Sequence, residues 1–396
     1  MAMGLVTKSY QKHVCFVAPL IYPVLADISS SSIVGGSEVQ QSIIIRGLRL
    51  KGFRISVITE DFGQPDDFEI DGVRIIKLIR RGPQIRFIRA IHPNMTSIWQ
   101  AMKKADADIY FQRCAGMTTA VACLFSRWHR KKFIFSSACD LDYELDKTSQ
   151  LFNGLGGWMY FQLYKIALRQ TDVAIAQHPR QAAAFKKWYG REAIVVPNCY
   201  QLESSSSGDA SLSKVILWVS TLHKVKRPEL FLELARRLPQ YQFRMVGGES
   251  SDPDSKYVYS LIEQDAKNLE NLEFVGFVPY SKVGMQFDEA CLFVNTSDYE
   301  GFPNTFLQAW ARGVPTVSFI DCGAYKDKKP IGNVVQDISE MVGVIQEKLT
   351  DKVLWIQESR AVKHYFYKNH SVETAIDLYQ RILSDLGMKG QNRHVT

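Results

Sequence analysis

Asn295-Thr-Ser-Asp-Tyr-Glu-Gly-Phe-Pro-Asn-Thr-Phe-Leu-Gln-Ala-Trp-Ala-Arg-Gly-Val-Pro-Thr-Val-Ser-Phe319 is the stretch on which the reading of this chain turns. An apolar strand ends at Asn295. A loop holding Gly301 and Pro303 follows, and a helix starts near Asn304 or Thr305, whose side chains suit an N-cap. Gly313 ends the helix and Val314-Pro315-Thr316 opens the next strand. The first turn of such a helix offers unpaired backbone N–H groups and a positive dipole end, a natural seat for a diphosphate. Gly301 lets the backbone approach a ligand, and Glu300 can accept hydrogen bonds from sugar hydroxyls. Taken alone, the same loop also reads as a plain turn with a helix cap.

Outward from this segment the pattern repeats. Short apolar strands are expected at 215–219, 242–246, 272–275, 292–295 and 316–319. Helices are expected at 228–237, 256–268, 305–312 and 338–349. The first half has the same rhythm. Strands are expected at 14–19, 54–59, 73–77, 107–112, 133–137, 172–176 and 193–196, with an apolar-striped helix over 37–51 closed by Gly52. Strands apolar on both faces that alternate with helices imply parallel sheets covered on two sides. Residues 201–213 are rich in Ser and lack apolar periodicity, as a linker does. The expected division is an N-terminal domain over 1–200, a linker at 201–213, a second domain over 214–370, and a final helix in 371–396 packing back on the first domain. The tail from 389 is expected to fray.

The 396 residues exceed what one core usually holds, ~250 residues, which supports two domains. A net charge of +7, from 48 basic against 41 acidic residues, is too mild and scattered for a nucleic-acid binder. Small basic clusters at Arg80-Arg81, Lys103-Lys104, Arg130-Lys131-Lys132 and Lys186-Lys187 read as solvated surface or as attraction to an anionic membrane or substrate. The seven cysteines, odd in number and without a CxxC pair, argue against zinc clusters and a disulfide framework. They point to a reducing, cytoplasmic setting. No signal peptide is expected from residues 1–12, and no apolar run reaches the ~18–20 residues of a spanning helix. The segments 156–165 and 81–102 mix aromatic and basic residues, as an interfacial helix or an ordinary sheet-packed helix would.

Together these segments resemble the retaining glycosyltransferases of family four, which have the two-domain GT-B fold. Such enzymes carry a Glu-Gly-Phe-Pro loop, a Leu-Glu-Ala helix and a Gly-x-Pro-Val strand. The matching residues here are Glu300-Gly301-Phe302-Pro303, Leu307-Gln308-Ala309 and Gly313-Val314-Pro315-Thr316. The resemblance covers roughly residues 14–386, more closely in the second half. It implies an α/β protein of two Rossmann-like domains facing a cleft. It also implies a nucleotide-sugar donor, a hydroxyl acceptor on a glycan, lipid-linked saccharide or small molecule, retention at the anomeric carbon, and neither cofactor nor metal. The setting implied is polysaccharide or glycoconjugate biosynthesis, in the cytoplasm or at the inner face of the membrane.

The resemblance also assigns roles. Glu300 holds the donor sugar and Lys226 clamps the diphosphate, so these two are the expected catalytic pair. Gly301, Phe302, Pro303, Asn304 and Thr305 line the donor site, and Gly276 and Phe277 lie near the base. Gly35 and Gly36 face the phosphates from the first domain. Two departures stand out. The second glutamate of the family, which holds the ribose, is Gln308 here; a glutamine oxygen accepts a hydrogen bond without charge. The family's second diphosphate cation, an arginine, is replaced by Thr221. Lys224, Arg227 or His223 is then expected to supply the charge. Val196-Pro197-Asn198 and Gly247-Gly248 match further turns. No histidine occurs at 135–140, where many members have one, which leaves Asp140, Ser137, Arg113 and His178 as candidates for the acceptor side. Asp140-Leu141-Asp142 has a metal-motif spacing but reads as a loop. A sugar-nucleotide epimerase and a non-catalytic nucleotide- or glycan-binding paralogue in a polysaccharide assembly complex remain the competing readings.

Overall fold

The computed structural model describes residues 12–28, 35–80, 90–144, 154–202, 215–249 and 253–388. Most of the expected linker and the expected frayed tail lie outside them, as do residues 1–11.

In chain order the first domain runs β1 (His13–Val17), α1 (Tyr22–Leu25), α2 (Gly36–Leu50), β2 (Arg54–Thr59), β3 (Asp67–Ile70), β4 (Val73–Lys77), α3 (Thr96–Ala105), β5 (Ile109–Arg113), α4 (Met117–Trp128), β6 (Lys132–Ser136), α5 (Gly154–Gln170), β7 (Val173–Ala176), α6 (Pro179–Tyr189) and β8 (Ile194–Val195). The second runs β9 (Val215–Val219), α7 (Pro228–Arg237), β10 (Gln242–Val246), α8 (Pro253–Ala266), β11 (Leu272–Gly276), α9 (Tyr280–Asp288), β12 (Ala290–Asn295), α10 (Asn304–Ala311) and β13 (Thr316–Ser318). After it come the hairpin β14 (Tyr325–Lys326) and β15 (Lys329–Pro330), β16 (Asn333–Val334), α11 (Ile338–Thr350), α12 (Lys352–Asn369) and α13 (Val372–Met388).

The strand orders are β3-β4-β2-β1-β5-β6-β7-β8 and β11-β10-β9-β12-β13-β16. Apart from the antiparallel edge pair β3–β4, both sheets are parallel. Each order reverses once, between β1 and β5 and between β9 and β12. A parallel sheet leaves a crevice beyond the carboxyl ends of its strands at that switch point, because the following helices depart to opposite faces. The loops after β1, β5, β9 and β12 therefore flank these crevices. The sheets are buried on both faces: β1, β5 and β12 have every residue buried.

The last helix, α13, lays Ala375, Ile376, Tyr379, Ile382 and Leu383 into the core cluster of the first domain, against α2. Ile376 packs on Gly47, where a Cβ would meet its side chain at 2.5 Å. Lys51 pairs with Asp377 at 2.7 Å.

Between α12 and α13 sits His370, fully buried, with Nδ1 donating to the Asn198 carbonyl at 2.7 Å and its ring 4.8 Å from that of Phe302. Its Nε2 is buried without a hydrogen-bond partner. Burial pushes the imidazole pKa down to about 4. The fold thus favours the neutral ring, while the unfolded chain takes up a proton near pH 6.5. This contribution to stability is intact above about pH 6.5 and falls as pH drops toward 4, by roughly 3 kcal/mol in all. Denaturant titrations at pH 7 and pH 4.5 should show a smaller acid loss for His370→Gln than for the parent.

Candidate active site at the domain cleft

Loops at the two switch points, together with those after β6, β8, β10 and β11, enclose a cleft of about 490 Å³ between the domains. The second domain builds its floor from the backbone upward. The Trp218 indole donates to Thr296 Oγ1 at 2.9 Å, and Thr296 Oγ1 donates to the Lys226 carbonyl at 2.7 Å. The Asp298 amide donates to the Val225 carbonyl at 2.9 Å. These bonds tie the loop after β9 to the loop after β12. As a result the Lys226 ammonium donates to Glu300 Oε1, while Ser297 Oγ donates to the same oxygen at 3.0 Å. Both side chains are about one-fifth exposed, so each is accessible from the cleft yet only partly solvated.

Of the residues expected at the site, Glu300, Lys226, Gly301, Phe302, Pro303, Asn304, Thr305, Gln308, Phe277, Gly35, Gly36 and Arg113 line this cleft. Asn304 and Thr305 are the first two residues of α10. Gln308 lies one turn further, 3% exposed, and its Oε1 is buried without a partner. An orphaned acceptor of this kind costs roughly 1–3 kcal/mol unless a ligand supplies the donor.

Other expected residues stand elsewhere. Arg227 adopts φ 49° and pairs with Glu229 at 2.6 Å and Asp298 at 3.0 Å on the surface, outside the cleft lining. Lys224 likewise pairs with exposed Asp254. His223 Nδ1 accepts from the Val225 amide as a cap. Helix-start geometry claims all three. Among the described cleft-lining residues the cations are Lys226 and Arg113, and Thr221 lines the cleft as a neutral hydroxyl. Gly276 lies behind Phe277, its φ of 76° making the turn and its carbonyl accepting from Gly247.

The acceptor-side candidates divide. Arg113 is buried, with Nη2 donating to Asn198 Oδ1 at 2.7 Å and Nε unpartnered. Asp140 is withdrawn from the cleft lining, because it accepts from His178 Nε2 at 2.9 Å and Gln181 Nε2 at 2.8 Å. Its pKa is nonetheless lowered: burial, the largest influence, opposes ionisation, but the His178 and Gln181 contacts outweigh it. His178 caps α6. Ser137 Oγ donates to the Cys139 carbonyl at 2.8 Å and also stays out of the lining. Asp142 accepts from the amides of Ala115, Ala138 and Cys139, so the Asp140–Asp142 spacing shapes a loop. That loop presents Ala138 and Cys139 to the cleft.

What the sequence reading missed is the seam. The Phe302 amide donates to Gln177 Oε1 at 2.9 Å, and Asn198 Nδ2 donates to the Phe302 carbonyl at 3.1 Å. Asn304 Nδ2 donates to the Gly36 carbonyl at 2.9 Å, and Gln40 Nε2 donates to Asn304 Oδ1 at 3.0 Å. The loop around Phe302 and Asn304 is thereby held by the first domain. Asn198 belongs to the Val196-Pro197-Asn198 match, which marks a turn but not this contact, and Gln40 and Gln177 are ordinary polar residues of a helix and a strand end with no local pattern to mark them.

Two family models match in succession: "Glycosyltransferase Family 4" over residues 34–204 and "Glycosyl transferases group 1" over residues 213–351. Mannosylfructose-phosphate synthase of Agrobacterium fabrum is 31% identical over 121 residues, 28% of this chain and 27% of that protein. O-antigen biosynthesis glycosyltransferase WbnH of Escherichia coli is 28% identical over 136 residues, 34% of this chain and 37% of that one. The matched stretches thus span only about a quarter to a third of these relatives' lengths. Among solved structures, sucrose-phosphate synthase of Thermosynechococcus elongatus superposes with a TM-score of 0.74 at 16% identity, covering 96% of this chain and all of that one. Anabaena HepE in complex with UDP and glucose superposes with a TM-score of 0.70 at 14% identity, covering 95% and 100%. These likenesses fix the fold as GT-B, and with the paired family matches across both domains they place the chain in the group 1 glycosyltransferases of family 4.

Proposed function

We propose that this protein transfers a sugar from a nucleotide-sugar donor to a hydroxyl acceptor with retention, without a metal. The observation that carries the reading is the buried, unpartnered Oε1 of Gln308, one turn inside a helix whose start lines the cleft beside the Lys226–Glu300 pair. A diphosphate fits the helix start and Lys226, and a ribose hydroxyl supplies the donor Gln308 lacks. Glu300 then turns from Lys226 to the hydroxyls of the donor sugar. Positive charge facing the leaving diphosphate stabilises the charge that grows there in the transition state, and the leaving phosphate oxygen can itself take the acceptor proton. The UDP and glucose named for the HepE complex support a uridine nucleotide as the first donor to try.

The test is calorimetry with a panel of nucleotide sugars, followed by transfer and donor-hydrolysis assays. Binding with turnover supports the reading. Binding with neither transfer nor hydrolysis favours a non-catalytic binding module, and sugar interconversion without transfer favours an epimerase. Gln308→Met gives a sharper check. It should weaken nucleotide binding about 10-fold, the worth of one or so buried hydrogen bonds. The same change should leave the melting temperature of the empty protein equal or higher, because it removes an unsatisfied polar atom. A variant that loses stability and keeps affinity would count against the ribose role.

A further inference from the structure

On the first domain, away from the cleft, α3, α4 and α5 lie side by side on one face of the sheet. Each follows its strand back, so all three run antiparallel to the strands. Between them is an apolar groove of about 280 Å³, lined by Trp99 of α3, Leu124 of α4, and Leu163 and Ile166 of α5 among others. The surface here is unusually apolar for solvent: Leu124, Leu163 and Ile166 of the groove lining are exposed, as are Trp128 of α4 and Trp158 and Met159 of α5, Trp128 by 76%. Met159, Leu163 and Ile166 follow one another at helical spacing, forming a single outward stripe of α5. Large apolar side chains left exposed together on neighbouring helices mark a surface that is covered in use.

Charge identifies what covers it. The segments 96–105, 117–132 and 154–170 contain Lys103, Lys104, Arg127, Arg130, Lys131, Lys132, Lys165 and Arg169, and no Asp or Glu. Lys104, Lys131 and Lys132 are paired with carboxylates from other segments. Lys103, Arg127, Arg130 and Arg169 have no ion pair among the described residues. Arg127 flanks exposed Trp128 in sequence, and Lys165 and Arg169 share α5 with the apolar stripe. Tryptophans and aliphatic side chains interleaved with unpaired cations match the headgroup boundary of an anionic bilayer: the rings and methyls enter the acyl edge while the cations meet phosphates.

We infer that the α3–α4–α5 face docks on an anionic lipid bilayer. The surface shares no residue with the cleft lining, so this inference does not depend on the donor reading. Because α5 begins on the carboxyl side of the sheet, its Trp158 end lies on the same side as the cleft. Docking would hold the cleft mouth near the membrane surface, where a lipid-linked hydroxyl acceptor would be presented.

The experiment is sedimentation of the full chain with sucrose-loaded vesicles of phosphatidylcholine alone or mixed with phosphatidylglycerol. Binding is expected to the mixed vesicles, to be strongly reduced in high salt, and to weaken about 30-fold in Arg127→Gln/Arg130→Gln. Leu163→Glu/Ile166→Glu should abolish it. All four positions are exposed, and far-ultraviolet circular dichroism with the melting temperature of both variants reports that the fold is kept. Equal sedimentation with and without phosphatidylglycerol overturns the inference, as does unchanged binding by both variants. A concentration-dependent dimer abolished by Leu163→Glu/Ile166→Glu, with no vesicle binding by the parent, also overturns it and assigns the face to a second copy.

Discussion

Lys226→Ala is expected to lower the rate of sugar transfer by about 10²–10³-fold, the usual cost of removing one preorganised charge at a growing anion. Lys226 and Arg113 are the cations among the described cleft-lining residues, and Arg113 is engaged with Asn198. The neighbours expected to help, Lys224 and Arg227, are held by carboxylates outside the cleft lining. With Thr221 neutral, the described residues of the second domain bring one side-chain cation and the start of α10 to the proposed diphosphate site. Removing it also leaves the Glu300 carboxylate, one-fifth exposed, with only the Ser297 hydroxyl as a described partner. Nucleotide affinity should fall about 10–100-fold, the range for a charge-assisted hydrogen bond. Lys226→Arg should recover part of the rate, because the charge is retained but the guanidinium geometry differs. Steady-state kinetics beside nucleotide titrations checks both effects. A variant with parental kcat would remove Lys226 from the mechanism.

Gly301→Ala should be nearly as damaging, for a steric reason. A Cβ at 301 would stand 2.7 Å from the Ala138 carbonyl oxygen, 3.0 Å from Cys139 Cα and 3.2 Å from Gln177 Oε1. Two of these are backbone of the facing domain and cannot rotate aside. The methyl group therefore pushes the donor loop away from the Asp142-anchored loop and strains the Phe302–Gln177 and Asn198–Phe302 bonds. Displacing reacting groups by about 1 Å can cost 10²-fold in rate. The melting temperature should fall only modestly, because both domain cores are intact. A fall in kcat of about 10²-fold with nucleotide affinity changed less than about 5-fold is the expected signature. It separates a closure defect from the lost contact of Lys226→Ala. Parental kcat in Gly301→Ala would show that the seam does not govern the reaction.

The two sheets were legible because their strands are short apolar runs that sequence periodicity marks directly. Residues 54–59, 73–77, 215–219, 242–246 and 228–237 fall where the pattern puts them. The edge strand β3, Asp67–Ile70, escaped because it is polar, half exposed and antiparallel, with no apolar run to announce it. Helix α12 escaped for a related reason. It packs along α10 through Trp355, Val362 and Phe366, with charged and aromatic residues on its other faces, so its apolar stripe is thin.

The sequence by itself determined the two doubly wound domains and the loop–helix unit from Glu300 to Gln308, and through the family resemblance the candidacy of Lys226, since each depends on residues close along the chain. Only the tertiary structure decided which charges face the cleft and which are spent on surface pairs. Arg227 and Lys224 lie within three residues of Lys226, yet local helix-start geometry turns them to Glu229, Asp298 and Asp254. Only the fold, too, brings Gly36, Gln40, Gln177 and Asn198 onto the loop around Phe302 and Asn304. Contacts between residues more than a hundred positions apart arise from how two separately folded sheets meet, and no short-range pattern encodes that meeting.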